Sequence, residues 1–296
     1  MGVYCKDDLV GFVPQYDSFV GIDSDGCVFD SMVIKQCQHF HPVIITVWGL
    51  EKIEREVREV AEFVNLYSIW RGSNRYPALL KVFELLAERE DVRASGVALP
   101  KMDALRAYVE SGLSLGIPTL EAEVERKQDP ELIRVLEWSH AVNLDIDQNM
   151  QEIPPFPHCL KALESIHRNS DAIVVSQTPE EALIKEWALH KMDGFVNLIA
   201  GQELGSKAHH LELAAVGKYD LKRILLIGDA PGDRKAAQSV GVCFYPIIPG
   251  HEDESWANFI DEAYTKFLDG SYAGDYEQAL IADFEQCLPD TPPWQS

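Results

Sequence analysis

The sequence predicts an α/β protein with a parallel-sheet core, split by an inserted all-helical domain. Three observations predict it: an apolar strand near the N-terminus that stops at acidic residues, a long following stretch with helical periodicity only, and then a regular alternation of helix and strand. At 296 residues the chain exceeds one average domain of roughly 100–200 residues, so one large or two moderate domains are expected. Hydrophobic residues make up 46% and charged residues 25%, the balance of a globular chain that buries a sizeable core.

The first strand is Phe19, Val20, Gly21 and Ile22, which runs into the turn Asp23-Ser24-Asp25-Gly26. Helical spacing begins after about residue 31. Ile53, Val57, Val60, Val64 and Tyr67 recur at three- and four-residue intervals and mark one buried face. Further helices are predicted over 78–88, 101–111 and 130–148, the last with Asp129 as N-cap and Pro130 in its first turn. Pro154-Pro155-Phe156-Pro157 cannot continue a helix and ends this block.

From residue 158 helix and strand alternate. A helix to about 168 precedes the strand Ala172-Ile173-Val174-Val175, and a helix starts at Pro179 with Thr178 and Glu181 as a capping box. A strand near 195–199, a helix from 207, the strand Ile224-Leu225-Leu226-Ile227, a helix from 232 and a strand at 242–245 follow. The acidic segment 251–289 is expected to be helical and to pack on the outside of the core. Such alternation is Rossmann-like and implies a parallel sheet covered by helices. Residues 1–30 and 156–296 are thus assigned to a discontinuous α/β core domain and 31–155 to the helical domain.

The 26 Lys and Arg against 48 Asp and Glu give a formal net charge of −22. Its field repels nucleic-acid phosphates and anionic lipid, so neither nucleic acid nor a membrane is expected as partner. It equally repels a small phosphorylated molecule, so any phosphate site needs local positive charge or a metal. Cys5, Cys27, Cys37, Cys159, Cys243 and Cys287 form no CxxC pair, which points away from a zinc ribbon or a disulfide framework. With no apolar run of about 18 residues and no basic, apolar leader in MGVYCKDDLVGF, a cytoplasmic chain with reduced thiols is expected.

Three strand ends carry the polar residues that matter, since ligands of open parallel sheets bind there. Asp23 and Asp25 are two positions apart, so in an extended segment both side chains face one way. Gly228-Asp229-Ala230-Pro231-Gly232-Asp233 adds two more acids. Four converging carboxylates repel one another unless a cation lies between them, and hard oxygen ligands suit Mg²⁺. Ser176, Gln177 and Thr178 offer hydroxyls and backbone N–H groups at a helix start, an arrangement suited to an anion. Lys207 follows a predicted strand and supplies the positive charge that the chain otherwise lacks.

In this order, GIDSDGCVFDS, AIVVSQT, Lys207 and ILLIGDAPGD resemble the four motifs of the haloacid dehalogenase superfamily, over nearly all of residues 17–245. The resemblance implies a phosphatase in which Asp23 is the nucleophile and Asp25 the acid and base, with an aspartyl-phosphate between two half-reactions. It implies Mg²⁺ as cofactor, held by the Asp23 carboxylate, the Asp25 backbone carbonyl, Asp229 and Asp233, with Ser176, Gln177 and Lys207 on the phosphoryl oxygens of a small phosphorylated metabolite. Cys27 stands where the family has Thr, Gln177 where Asn is common and Ala208 where Pro is frequent, and none of these is a reacting group. Lys191 is a competitor for the lysine position.

Alone, Asp-Ser-Asp-Gly is a common solvated turn, and it is the ordered set that carries the reading. His39 with His41, and His209 with His210, have no second ligand cluster of suitable spacing and are read as structural or solvent-facing. The helical insertion falls where the family places a cap that closes over the site. There, Arg71, Asn74 and Arg75 in one predicted loop are candidates to read a carboxylate or sugar on the substrate, the alternative being arginines that pair with surface acids. A phosphomutase of the β-phosphoglucomutase type shares the same motifs, and a non-catalytic binding protein on the same fold is the third reading.

Overall fold

The computed structural model describes residues 4–295. The chain divides into two compact units, Met1–Ser31 with Ile153–Leu288, and Met32–Glu152 with Pro289–Ser296.

Among the described residues the first unit is built on five parallel strands: β1 (Phe19–Ile22), β2 (Asp171–Val175), β3 (Leu198–Ala200), β4 (Ile224–Gly228) and β5 (Cys243–Pro246), in the order β3-β2-β1-β4-β5. Phe19 lies opposite Asp171 on one side and Ile224 on the other, and Ile22 opposite Val174 and Ile227. β1 is central, and its four residues are buried, as expected of a strand covered on both faces. Phe19, Ile173, Val175, Ile224, Leu226 and Phe244 form one core with Leu211, Ala237 and Phe284 from the helices Lys207–Ala214, Pro231–Val240 and Asp275–Gln286. Alternate residues such as Val20, Ile22 and Val174 are buried on the opposite side. There the helices Cys159–Asn169 and Glu180–Leu189 adjoin β2 and β3.

The chain passes outward from β1 to β2 and β3, then crosses to β4. The direction of winding therefore reverses between β1 and β4, the topological switch point where open sheets leave a crevice. The start of β2 is tied down by Asp171, whose buried carboxylate accepts from the Gln15 and Tyr16 N–H groups and the Tyr219 hydroxyl at 2.7–3.0 Å.

Two local expectations change. The helix after β2 spans Glu180–Leu189 with Pro179 at its N-cap and no side-chain cap, so the Thr178–Glu181 capping box does not form. The Thr178 hydroxyl is used elsewhere, as described below. The third strand begins only at Leu198, because Asp193–Phe195 form a 3₁₀ turn first.

The second unit is all helix among its described residues. Its main helices are His41–Trp48, Glu54–Leu66, Arg75–Glu88, Ile117–Lys127 and Pro130–Asn149, around a core that includes Val57, Val60, Val64, Leu79, Val82, Leu86 and Trp138. Asp129 accepts from the Glu131 and Leu132 N–H groups and so caps the last of these. A π-helical turn, Lys35–Phe40, leads directly into His41–Trp48. The final segment from Pro289 groups with this unit and not with the α/β unit to which residues 156–296 were assigned. The Trp294 ring packs against Phe63, with centroids 5.5 Å apart, and lies under the Arg89 guanidinium.

Gly21 is closely packed at the centre of the sheet. A Cβ there would lie 3.0 Å from Leu211, 3.1 Å from Val175 and 3.3 Å from Leu226. Gly21→Ala should lower stability by about 1–3 kcal/mol through overpacking. Urea unfolding should show a lower midpoint at an unchanged m-value.

Candidate active site

The polar residues singled out in the sequence lie at the carboxyl ends of β1, β2 and β4. Asp23 extends β1 by one residue, its N–H bonded to the Ile227 carbonyl at 3.0 Å. The chain then turns sharply: Cys27, Val28 and Phe29 all donate to the Ser24 carbonyl, and the Gly26 N–H donates to Phe29 O at 2.8 Å. Gly26 has φ +77°, which a residue with a Cβ adopts only at a cost. Between the two acids, Ser24 is buried and its hydroxyl accepts from the Trp187 indole at 3.0 Å. A second indole, Trp256, donates to the Cys27 carbonyl at 2.8 Å. Two tryptophans from separate helices thus clamp the acidic turn.

Asp23, Asp229 and Asp233 are buried, and a carboxylate oxygen of each lies within 4.8 Å of the other two. Asp233 is fixed by the start of its own helix, where its Oδ2 accepts from the Ala230 N–H at 3.0 Å. Gly228 makes room for it, since a Cβ there would stand 2.5 Å from the Asp233 side chain. Lys207, in the first turn of Lys207–Ala214, reaches across to Asp23 Oδ1 at 2.9 Å and also pairs with Asp233 Oδ1. Lys191 is exposed, in a left-handed turn after Leu189. The lysine within reach of the acids is Lys207.

The electrostatics follow from three buried acids around one ammonium. Burial pushes the Asp23 carboxyl well above the usual carboxylate range, Lys207 opposes this, and Asp233 and Asp229 push it further up. Burial works against the Lys207 charge, but Asp23 and Asp233 outweigh it and raise its pKa, so it stays cationic. One ammonium does not balance three carboxylates, and the excess is what a divalent cation would neutralise. The donor set fits Mg²⁺: it is all oxygen, and one carboxylate oxygen of each acid lies within 4.8 Å of the other two.

Asp25 differs from Asp23. It is half-buried and outside this group, and its two oxygens accept separate hydroxyls, Oδ1 from Ser31 and Oδ2 from Thr178 at 2.6 Å. Thr178 also donates its N–H to Ser176 Oγ at 3.2 Å, so this residue joins the turn after β1 to the turn after β2. The capping signal at Thr178 concealed this role; its place two residues after the strand-end serine is the sequence feature that points to it.

Ser176 is buried at the end of β2, its N–H donating to Ala200 O at 3.0 Å. Gln177 turns its amide to backbone carbonyls, Gly205 O at 2.9 Å and Ser176 O at 3.2 Å, and so braces two loops together. In the helical unit, Arg71 is buried with its guanidinium on the Leu66 carbonyl, and Asn74 caps the helix that follows by accepting from the Tyr76 N–H. Arg75 donates to Ser139 and to Asn143 Oδ1 and lies over the Phe40 ring. Arg71 is buried and Arg75 half-buried within that unit, while Asn74 is exposed. The partners of Arg75 are a backbone carbonyl and neutral side chains of the same unit, whereas Arg71 makes its bond to Leu66 O from a buried position. Of the histidines, His39 pairs with Asp145 at 2.7 Å, and burial lowers His210 to a pKa of about 4.

No protein-family model and no curated protein matches the chain. Among solved structures it resembles a predicted phosphoglycolate phosphatase from Haemophilus somnus, at 14% identity and a TM-score of 0.48 over 83% of this chain and 97% of the other. It also resembles a β-phosphoglucomutase from Clostridium difficile, at 12% identity and a TM-score of 0.47 over 90% and 100%. A haloacid dehalogenase-like hydrolase from Streptococcus pneumoniae gives 15% identity and a TM-score of 0.41 over 90% and 98%. These likenesses are distant. No described helix is long and apolar enough to cross a membrane.

Removing the ammonium tests this balance. Lys207→Met should cost about 3–5 kcal/mol, because it leaves buried carboxylates without their partner. The loss should depend on pH with a definite sign. Acids whose folded pKa is raised hold protons that the unfolded chain gives up, so stability falls as pH rises. The variant should therefore lose more at about pH 8 than at about pH 5, as read by urea unfolding at both.

Proposed function

We propose that the chain is a Mg²⁺-dependent phosphomonoesterase of the haloacid dehalogenase type, acting on a small phosphorylated metabolite. The observation that carries this reading is the Lys207 ammonium bonded to Asp23 and Asp233 within a cluster that also includes Asp229. A nucleophilic carboxylate, a fixed cation and a set of hard oxygen donors meet at one strand end. That combination serves the attack of an anion on a phosphate dianion.

In this reading Asp23 Oδ attacks phosphorus, the P–O bond to the leaving group breaks, and Asp25 gives its proton to the departing oxygen. Asp25, then a carboxylate, takes a proton from water as that water attacks the aspartyl-phosphate, releasing phosphate and restoring both acids. The hydroxyls of Ser31 and Thr178 hold Asp25 in place for both transfers. Ser176 and Lys207 bind phosphoryl oxygens, and Lys207 offsets the charge that Asp23 and the substrate bring together. Asp23, Asp229, Asp233 and the Asp25 carbonyl would hold Mg²⁺, which supplies charge neutralisation at the phosphoryl group. Gln177, with its amide on two carbonyls, supports the loop that carries Ser176.

The test is release of inorganic phosphate from a panel of phosphorylated metabolites, with Mg²⁺ and with EDTA. Release should require the metal, and Asp23→Asn should lower it by at least about 10³-fold, as expected when a nucleophile is lost. No release by folded, Mg²⁺-loaded protein would overturn the reading; phosphate moved within a sugar phosphate, without release, would identify a mutase. Thr178→Val should lower kcat about tenfold with little change in KM, because it loosens the general acid and spares substrate binding.

A further inference from the structure

The helical unit holds a second group of ligand-type side chains, remote in sequence from the strand-end acids. Cys37 lies on the π-helical turn Lys35–Phe40, His41 begins the helix that continues it, and Glu62 projects from the helix Glu54–Leu66. The thiol, an imidazole nitrogen and a carboxylate oxygen all lie within 4.8 Å of one another, with Cys37 Sγ 3.9 Å from Glu62 Oε1. No regular spacing announces this group, because Glu62 comes from another helix; the expectation that His39 and His41 lack companion ligands is corrected here for His41.

His41 is what makes the group more than a coincidence of side chains. It is 0% exposed, and neither ring nitrogen has a hydrogen-bond partner among the described residues. A buried imidazole without partners is costly, and an apolar residue would fill the position without that cost. Burial, with a smaller contribution from Arg58, lowers its pKa to about 3, which keeps it in the neutral form that binds metals. The π-turn contributes as well: His41 N–H bonds to Gln36 O, five residues back, and such wider turns recur where a helix presents side chains for function. Arg58 Nη1 donates to the Cys37 carbonyl at 3.2 Å, which ties the π-turn to the helix that carries Glu62.

We propose that Cys37, His41 and Glu62 form a binding site for a zinc-type transition-metal dication. Sulfur, imidazole and carboxylate are a borderline-soft donor set that suits Zn²⁺ and not Mg²⁺. Tetrahedral bonds of about 2.0–2.3 Å place neighbouring ligands about 3.5 Å apart, so the side chains need to close by about 1 Å. Binding releases one proton, from the Cys37 thiol, and the thiolate and carboxylate then balance the ion's two charges. Three protein ligands leave a fourth position for water. The ion would pin the π-turn to the Glu54–Leu66 helix. The proposal is independent of the phosphoryl-transfer reading.

The test is titration of the reduced, full-length chain with Co²⁺, followed by displacement with Zn²⁺. A thiolate-to-cobalt charge-transfer band with intense tetrahedral d–d bands is expected, and Zn²⁺ should abolish both. Cys37→Ser should remove the charge-transfer band, and Glu62→Gln should weaken Zn²⁺ binding by about 100-fold or more, at least the effect of losing a group behind the ligands. Both positions are half-buried, so these variants keep the test open if His41→Ala fails to fold. In an Asp229→Asn, Asp233→Asn background the band should persist, which separates this site from the acidic cluster. A folded wild-type chain without the band, or a band that survives Cys37→Ser, would overturn the proposal.

Discussion

Three buried carboxylates around one ammonium are the constraint on which the α/β unit depends. Two like charges about 5 Å apart repel by about 3 kcal/mol even at an effective dielectric constant of about 20, so the acids of β1 and β4 stay together only because the sheet and Lys207 hold them. The sheet does so directly. The Asp23 N–H bonds to β4, the Ile247 N–H bonds to the Gly228 carbonyl, and Gly228 lacks the Cβ that would push Asp233 away. Packing in the hydrophobic core thus holds charge in an arrangement that it would not adopt in solution.

The two acids of the first turn are placed in contrasting environments by the same few residues. Asp23 is buried and paired with an ammonium, whereas Asp25 is half-buried and held by two neutral hydroxyls. Burial alone would disfavour the Asp23 charge, and Lys207 is the group that opposes this, whereas Asp25 is held by neutral hydroxyls. The Ser24 side chain between them is buried and accepts from the Trp187 indole, which fixes the turn that carries both acids.

Much of this was legible in the sequence. The five strands follow from apolar runs bounded by turn residues, and the acids at 23, 25, 229 and 233 from their places after two of those runs. Thr178 was misread because a threonine three residues before a glutamate satisfies the capping pattern whether or not its hydroxyl is needed elsewhere. The partners of Arg75, Ser139 and Asn143, lie more than sixty residues away in the chain and carry no mark of the contact. The tryptophans that clamp the acidic turn, and the meeting of Cys37 with Glu62, escape for the same reason: a contact between distant segments leaves no periodic trace in either.

Pro289–Ser296 groups with the helical unit, although most of that unit lies between β1 and β2. The chain therefore visits the helical unit twice, and neither unit is one continuous stretch. During synthesis, the surface of Phe63 and Arg89 that receives Trp294 stays uncovered until almost the whole α/β unit has been made. Most of the helical unit is made before β2 to β5, yet its Trp294 contact is made after them, so the order of synthesis and the order of assembly differ.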